Sequence, residues 1–318
     1  ADRAAIQNEI NQLTDELERI GDTTTFNQQK LLDGSFNDKF FHIGMNHQER
    51  IRVRVSDARA DNIGRVASST GTPVTAGALG SDELTINNTT IRATQLVDDQ
   101  ISTTLRTSSA IAKASAINDF SEFTGVKAYV NETTRVGTAS VAGGTLDENN
   151  YIKINNVVFT GFTVQQDDAN ESLLNAFNAE LNATGVLASR NAEGQIELSA
   201  ADGRNIDVEV VGNGGIIGGL ASDVSTASIT LVSDQQYQLG GTNEAALGFV
   251  DNAITAVTNK NSVANLSVEG REEANLALLV LDRAISQISS DRSELGAVQN
   301  RLQSTISNLS SVAENATA

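Results

Sequence analysis

The sequence is poor in the residue types that most often carry out chemistry. Among its 318 residues there is no cysteine and no tryptophan, and there are only two histidines, three tyrosines and one proline. The lack of cysteine excludes disulfides, thiolate metal ligands and cysteine nucleophiles. Paired carboxylates for glycoside hydrolysis remain open in an acidic chain, but carbohydrate sites usually supply Trp or Tyr platforms. We therefore do not expect an enzyme.

Positive charge and apolar surface are also scarce. The formal net charge is -18 and the sequence pI is about 4.4, which disfavours nucleic acid because a phosphate backbone is repelled. Only 39% of the residues are apolar, so the cores of two or three domains must be small. No stretch approaches the roughly 18 apolar residues of a membrane helix, and no membrane span is predicted.

The clearest pattern is a heptad repeat near the C-terminus. Its apolar residues recur at alternating spacings of four and three, interrupted only by Arg292 and Gln299. The residues of this C-terminal seam are Ala274, Leu278, Leu281, Ile285, Ile288, Leu295, Leu302, Ile306, Leu309 and Ala313. Sustained heptads predict one long helix with a coiled-coil packing face.

The same spacing occurs at the other end of the chain. The residues of this N-terminal seam are Ile6, Ile10, Leu13, Leu17 and Ile20. Gly21 follows and offers a left-handed helix end. We expect the two seams to pack on each other, so that residues 1–66 and 246–318 form one discontinuous, antiparallel helical rod domain. Both ends of the sequence look cut within helices, and we expect the native protein to be longer.

A β-hairpin is predicted after the first helix. Residues 40–43 and 51–55 have strand patterns and flank a polar loop. In the second run Ile51, Val53 and Val55 alternate with arginine, so the apolar residues share one face. We expect the hairpin to lie on the rod domain through that face.

The middle of the chain contains a degenerate internal repeat. The run LTINN at 84–88 resembles IKINN at 152–156, and the pattern around 117–126 returns at 177–186 with identical spacing. Each copy is predicted to be a strand, a helix that ends at glycine, and a strand. We expect two β-rich central modules with short helices, residues 67–140 and 141–245, which gives the chain an α+β fold.

The two ends resemble bacterial flagellin. The similar segments are DRAAIQNEINQLTDELERIGDTTTFNQQKLLDGS at 2–35, FHIGMNHQERIRVRV at 41–55, SDARADNIG at 56–64 and SSDRSELGAVQNRLQSTISNLSSVAENA at 289–316. In combination these motifs are highly specific. The central repeats are similar to the so-called flagellin IN modules, which is a weaker match because that region varies widely in the family.

The resemblance implies a structural protein whose copies stack into a hollow helical filament, outside the cell, that serves motility. It also implies export in unfolded form through the flagellar secretion apparatus and its chaperones. The channel-lining terminal helices of the family have no counterpart in this sequence, so we expect the fragment itself to be monomeric. The helix that innate-immune receptors chiefly recognise would precede Asp2, and Glu9 matches a receptor-contact glutamate of some flagellins.

Several polar groups have more than one interpretation. The stripe of Arg50, Arg52 and Arg54 could contact carboxylates of a neighbouring subunit, bind an anionic polysaccharide, or be a solvated strand face. His42 and His47 have only Glu49 nearby as a further metal ligand, so ordinary hairpin residues are favoured.

The acidic pairs of the middle could hold Ca²⁺ through loop oxygens, but they have neither EF-hand nor RTX spacing. They are Asp98-Asp99, Asp147-Glu148 and Asp167-Asp168. We favour turn or helix-start carboxylates and expect no cofactor. The glycine-rich run at 212–218 matches neither the dinucleotide-binding fingerprint nor the P-loop, and a flexible turn is favoured.

The alternative function is a cell-surface adhesin or polysaccharide-binding protein on the same scaffold. It would need a groove lined by the arginine stripe or by exposed tyrosines. The candidates are Tyr129, Tyr151 and Tyr237.

Overall fold

The computed structural model of the protein describes residues 2–42 and 49–317. The chain divides into two compact units: Ala1–Ala67 with Val257–Ala318, called the terminal unit, and Ser68–Ala256, called the central unit. Both chain ends therefore contribute to one unit. The α+β fold class is confirmed, with helical ends, a hairpin and a β-rich middle that contains short helices. The finer boundaries at 66/67, 140/141 and 245/246 stay predictions.

The helices and strands are as follows. The α-helices are α1 (Asp2–Thr23), α2 (Ala110–Asn118), α3 (Ser121–Thr124), α4 (Ser172–Ala179), α5 (Leu181–Thr184), α6 (Gly214–Gly218) and α7 (Arg271–Thr317). Short 3-10 helices cover Leu96–Asp98, Arg106–Ser108, Gln166–Asp168, Glu244–Leu247, Asn259–Asn261 and Val263–Asn265. The strands are β1 (Thr25–Phe26), β2 (Gln29–Lys30), β3 (Lys39–His42), β4 (Arg50–Val53), β5 (Ala67–Thr70), β6 (Leu84–Ile86), β7 (Thr89–Thr90), β8 (Val126–Val130), β9 (Thr133–Ser140), β10 (Gly144–Leu146), β11 (Tyr151–Ile154), β12 (Val157–Phe159), β13 (Phe162–Val164), β14 (Leu187–Arg190), β15 (Gln195–Ala200), β16 (Ile206–Val211), β17 (Asp223–Ser225), β18 (Ile229–Ser233), β19 (Tyr237–Gly241) and β20 (Ile254–Thr255).

The core of the terminal unit is built on a narrow face of α7 made of small residues. Ala277, Val280 and Ala284 are at most 4% exposed, and they recur at helical spacing. The loop at 60–66 lies against this face. Gly64 makes the closest approach: it has φ +69, and a Cβ there would lie 2.5 Å from the Val280 carbonyl oxygen. Only glycine combines that conformation with that distance.

The hairpin of β3 and β4 is antiparallel, with Lys39 opposite Val53 and His42 opposite Arg50. Along β4 the side chains alternate as the sequence predicts: Ile51 and Val53 are buried, whereas Arg50 and Arg52 are exposed. Strand β4 packs on α7. The predicted contact between the hairpin and the rod domain is therefore present within the terminal unit.

Helix α1 does not end at Gly21, as the sequence suggested, but continues to Thr23. Gly21 is buried, and a Cβ there would lie 2.7 Å from Cγ of Arg59. The glycine is therefore needed for close packing and not for a left-handed turn.

The central unit interleaves the two halves of its own sequence. Strand β6 pairs with β19, β8 pairs with β18, and β9 pairs with β15, all antiparallel. A further sheet has the order β12-β11-β16-β17. The main apolar cluster includes Phe159 and Phe177, whose rings meet edge to face at 4.7 Å between centroids.

The internal repeat recurs in the hydrogen bonds of the central unit. Asn87 and Asn155 both have positive φ, and each donates from Nδ2 to the carbonyl of a threonine that ends a short helix, α3 or α5, at 2.9 and 2.8 Å. Asn118 and Asn178 each bridge both polar backbone groups of an alanine, Ala128 in the first case. Asparagine is suited to such positions because it tolerates the left-handed region and carries both a donor and an acceptor.

Candidate assembly surface

The C-terminal seam is exposed along most of α7. Leu278 and Ile285 are each 62% exposed. Its other large members are Leu281, Ile288, Leu295, Ile306 and Leu309, all exposed, and Leu302, which is half-buried. A helix of 47 residues is about 70 Å long, so the terminal unit presents a long row of large aliphatic side chains.

The N-terminal seam is also largely uncovered. Leu13 is 64% exposed, Ile6 and Ile20 are exposed as well, and only Ile10 and Leu17 are half-buried. The expectation that the two seams cover each other within one chain was therefore wrong. The physical reason is that α7 uses a different face, the small residues at 277, 280 and 284, for its contacts within the chain.

Polar anchors hold α1 in the terminal unit instead. Gln7 donates from Nε2 to the Leu266 carbonyl at 2.9 Å and accepts from the Val268 amide at 2.8 Å. Further along the helix, Glu18 accepts from the Ala60 amide at 2.9 Å. Gln7, Glu18 and Gly21 lie on one helical row, so a polar row at heptad spacing was the signal that sequence reasoning missed.

An ion-pair cluster secures the C-terminal end of α1. Arg59 covers Gly21 and binds Asp57 at 2.7 Å, and its guanidinium lies 4.0 Å from Asp22. Burial opposes ionisation of Asp57, but the hydrogen bonds and charge of Arg59 outweigh it, so the pKa of Asp57 is lowered. Asn62 also donates to Asp57.

The arginine stripe lies on the exposed face of β4 and already has partners in its own chain. Arg52 and Arg54 both pair with Asp38, and the hydrogen bond from Arg52 is the main cause of a lowered pKa at Asp38. The Arg50 guanidinium lies 4.3 Å from the centre of the Phe40 ring. Exposed pairs of this kind are weak, so they leave the stripe available to other carboxylates.

The remaining candidate sites are distributed over the chain. His42 is exposed on β3, whereas His47 lies outside the described residues. Asp147 accepts from the amides of Asn149 and Asn150. Between residues 2 and 42 and between 49 and 317, no three His, Asp or Glu side chains come together, and no helix is long and apolar enough to cross a membrane.

Two expectations about the middle need correction. The glycine-rich run contains a short helix, α6, where a flexible turn was favoured. The chain turns at Gly212, whose φ is +56, and Ile217 then donates to the Asn213 carbonyl to close a helical turn. Tyr237 is only 1% exposed, so it cannot line an open groove.

Comparison with known proteins extends the similarity over the whole chain. Residues 1–37 match the bacterial flagellin N-terminal helical region, and residues 278–318 match the bacterial flagellin C-terminal helical region. The B-type flagellin of Pseudomonas aeruginosa is 32% identical over 100% of this chain and 69% of its own length. Flagellin B of Helicobacter pylori is 31% identical over 97% of this chain and 68% of its own length. FliC from Burkholderia pseudomallei, a solved structure, aligns with 94% of this chain and 85% of its own at 15% identity, with a TM-score of 0.33.

Proposed function

The chain belongs to the bacterial flagellin family, and we propose that the exposed seams of α1 and α7 are the surfaces through which its copies pack in the flagellar filament. As a flagellin it is a structural subunit of that extracellular filament, which serves motility. The observation that carries the proposal is the row of large aliphatic side chains left uncovered on α7.

The energetics favour assembly through the seams. A large aliphatic side chain gains about 1.5–3 kcal/mol when it is fully buried. Ile285, at 62% exposure, keeps more than half of that gain for a neighbouring copy. Because every subunit repeats the same row, the gain recurs at each contact along a helical assembly.

The arginine stripe supplies a second, polar contact in this proposal. A chain with a net charge of -18 presents carboxylates to each of its neighbours. Arg52 and Arg54 share the single carboxylate of Asp38, so one positive charge of the pair is left uncompensated there. Such a contact sets register more than affinity.

Other partners follow from the same exposed surface. A seam that is covered only in the filament needs protection before assembly, which supports binding of α7 by the export and chaperone machinery. An innate-immune receptor or a surface polysaccharide would also have to use the exposed faces of α1 or the hairpin. The adhesin alternative is not favoured, because Tyr237 is buried and cannot line an open groove.

The experiment replaces seam residues that are exposed in the single chain. Ile306→Asp and Leu309→Asp, introduced into the flagellin of the producing strain, should abolish filaments in electron micrographs and remove swimming motility. Both residues are exposed, so the subunit itself should keep its circular dichroism spectrum.

The matched control moves the same charges by one residue around the helix. Ser307→Asp and Ser310→Asp lie at equally exposed positions off the seam and should leave filaments intact. Filaments of normal length from the seam variant, or equal loss from both variants, would show that the seam is not the packing surface.

A further inference from the structure

The central unit contains a group of buried oxygens without partners, which the loop at 99–104 and Asn205 contribute together. Among the described residues, five buried side-chain polar atoms have no hydrogen-bond partner. Three of them are Oδ2 of Asp99, Oγ1 of Thr104 and Oδ1 of Asn205. Buried polar atoms without a partner are rare in folded proteins, and an ion or an ordered water is a common reason for them.

These three residues are tied into one loop assembly. The Ser102 amide donates to Asp99 Oδ1 at 2.9 Å, and the Asn205 amide donates to Ser102 Oγ at 3.0 Å. Asn205 Nδ2 then donates to the Thr104 carbonyl at 3.0 Å. Asp99 and Asn205 are both 0% exposed. The donors of Asn205 are therefore used, whereas Asp99 Oδ2, Asn205 Oδ1 and the Thr104 hydroxyl have no partner.

The second repeat contains a buried carboxylate whose oxygens both accept hydrogen bonds from backbone amides. Asp168 is also 0% exposed, but its two oxygens accept from the amides of Leu173 and Leu174, each at 3.0 Å, at the start of α4. Asp99 uses a single oxygen in this way. Asp99 is thus a turn carboxylate through Oδ1, which accepts from the amides of Ile101 and Ser102, whereas its Oδ2 has no partner.

The charged groups around the loop carry a net negative charge that one bound cation would neutralise. Arg92 binds Asp98 and Asp119, while Arg106 donates to the Asp99 and Leu96 backbone carbonyls. Three carboxylates against two guanidiniums leave one negative charge in excess. Burial opposes ionisation of Asp99, but hydrogen bonds such as that from the Ser102 amide prevail, and the pKa of Asp99 is lowered.

We propose that Asp99 Oδ2, Thr104 Oγ1 and Asn205 Oδ1 bind a hard monovalent cation, with Na⁺ as the probe. All three atoms are oxygens, which hard cations prefer. A single carboxylate suits a singly charged ion, which would neutralise the excess charge. Ca²⁺ usually takes six to eight oxygens with several carboxylates.

The test compares salts at matched ionic strength. The thermal unfolding midpoint of the chain is measured in NaCl, KCl and choline chloride at about 0.3 M, where surface charges are screened alike. A ligand that binds only the folded state raises the midpoint, here by about 2–4 °C for the alkali salts. Equal midpoints in all three salts would overturn the proposal.

Two variants locate the effect. Asp99→Asn keeps the size of the side chain but removes the charge, and it should abolish the difference between alkali and choline salts. Asp168→Asn is the matched control, because its parent carboxylate is equally buried and fully partnered. It should lower the midpoint in every salt and keep the difference. The reverse result in the two variants would refute the assignment.

Thr104→Val tests whether Oγ1 of Thr104 binds the cation or is simply an unpaired hydroxyl. If Oγ1 binds the cation, the variant loses the alkali-specific shift. If Oγ1 is merely unpaired, removing it raises the midpoint equally in all salts, because a buried unsatisfied oxygen is destabilising. That second outcome would overturn the site.

Discussion

Lys113 gives a quantitative prediction about the central unit. This lysine of α2 is 0% exposed, and its Nζ donates to the carbonyls of Thr75 and Ala246, both at 2.8 Å. Burial lowers its pKa from 10.5 to about 8, because the charged form is poorly solvated. The side chain thus joins segments that are far apart in sequence.

The sign of the pH dependence follows from proton binding. Between pH 8 and pH 10.5 the unfolded chain holds a proton on Lys113 that the folded chain has released. The free energy of unfolding therefore rises with pH across this window. From about pH 7 to about pH 9.5 the expected gain is ~2 kcal/mol, and the contribution is nearly constant below that range.

The assay is urea unfolding, followed by circular dichroism, of the wild type and of Lys113→Met. The difference in unfolding free energy between them should grow with pH by the amount given above. Both proteins contain Tyr237, so taking the difference cancels its contribution to the unfolding free energy. Burial raises the pKa of Tyr237, and its contribution therefore falls at high pH, opposite to that of Lys113. Lys127→Met, at an exposed position of β8, should show no such growth. A difference that stays flat would refute the reasoning.

Three further substitutions have defined expected outcomes. Gly64→Ala should lower the unfolding free energy of the terminal unit by at least ~1–2 kcal/mol, since alanine is strained at positive φ and its Cβ would meet Val280; an unchanged midpoint in the helical circular dichroism signal would contradict this. In Gly296→Ala the new Cβ meets nothing within 4 Å, so the unfolding free energy of the terminal unit should rise by up to ~1 kcal/mol; a decrease would show that the glycine is needed. Asn155→Leu should cost the central unit ~1–3 kcal/mol in urea unfolding, because its bonds to Thr184 and Asp207 are lost; amide exchange near Asp207 that remains slow would contradict it.

Periodicity predicted the local elements well. The heptads near the C-terminus indicate one long helix, and α7 runs from Arg271 to Thr317. Alternation in residues 51–55 predicts the buried face of β4, where Ile51 and Val53 are indeed covered. Both patterns work because they depend on the geometry of a single element and not on its partner.

The same patterns do not predict which elements pack against each other. The heptads show that α7 has an apolar seam but not that Ala277, Val280 and Ala284 form its contact face within the chain, because small residues carry little hydrophobic signal. Strand pairing between β6 and β19 joins Ile86 to Leu239, which lie 153 residues apart in the sequence. Such pairing depends on the folded whole.

The candidate cation site shows the same limit. The sequence pattern indicates Asp99 as half of an acidic pair, but it indicates neither Thr104 nor Asn205. Asn205 reaches the loop only because the chain brings it back beside Ser102. The unfilled acceptor capacity of each oxygen is a property of the folded environment and leaves no trace in spacing.

Because strands from the two halves of the central unit pair with each other, the two copies of the repeat cannot be removed or exchanged as independent units. A cut between the copies would leave β8 without β18 and β9 without β15, and bare strand edges invite aggregation. During synthesis β6 is made long before β19, so its sheet can be completed only after β19 has been made. Loss or transfer of one whole copy is therefore the change in length that this fold tolerates least.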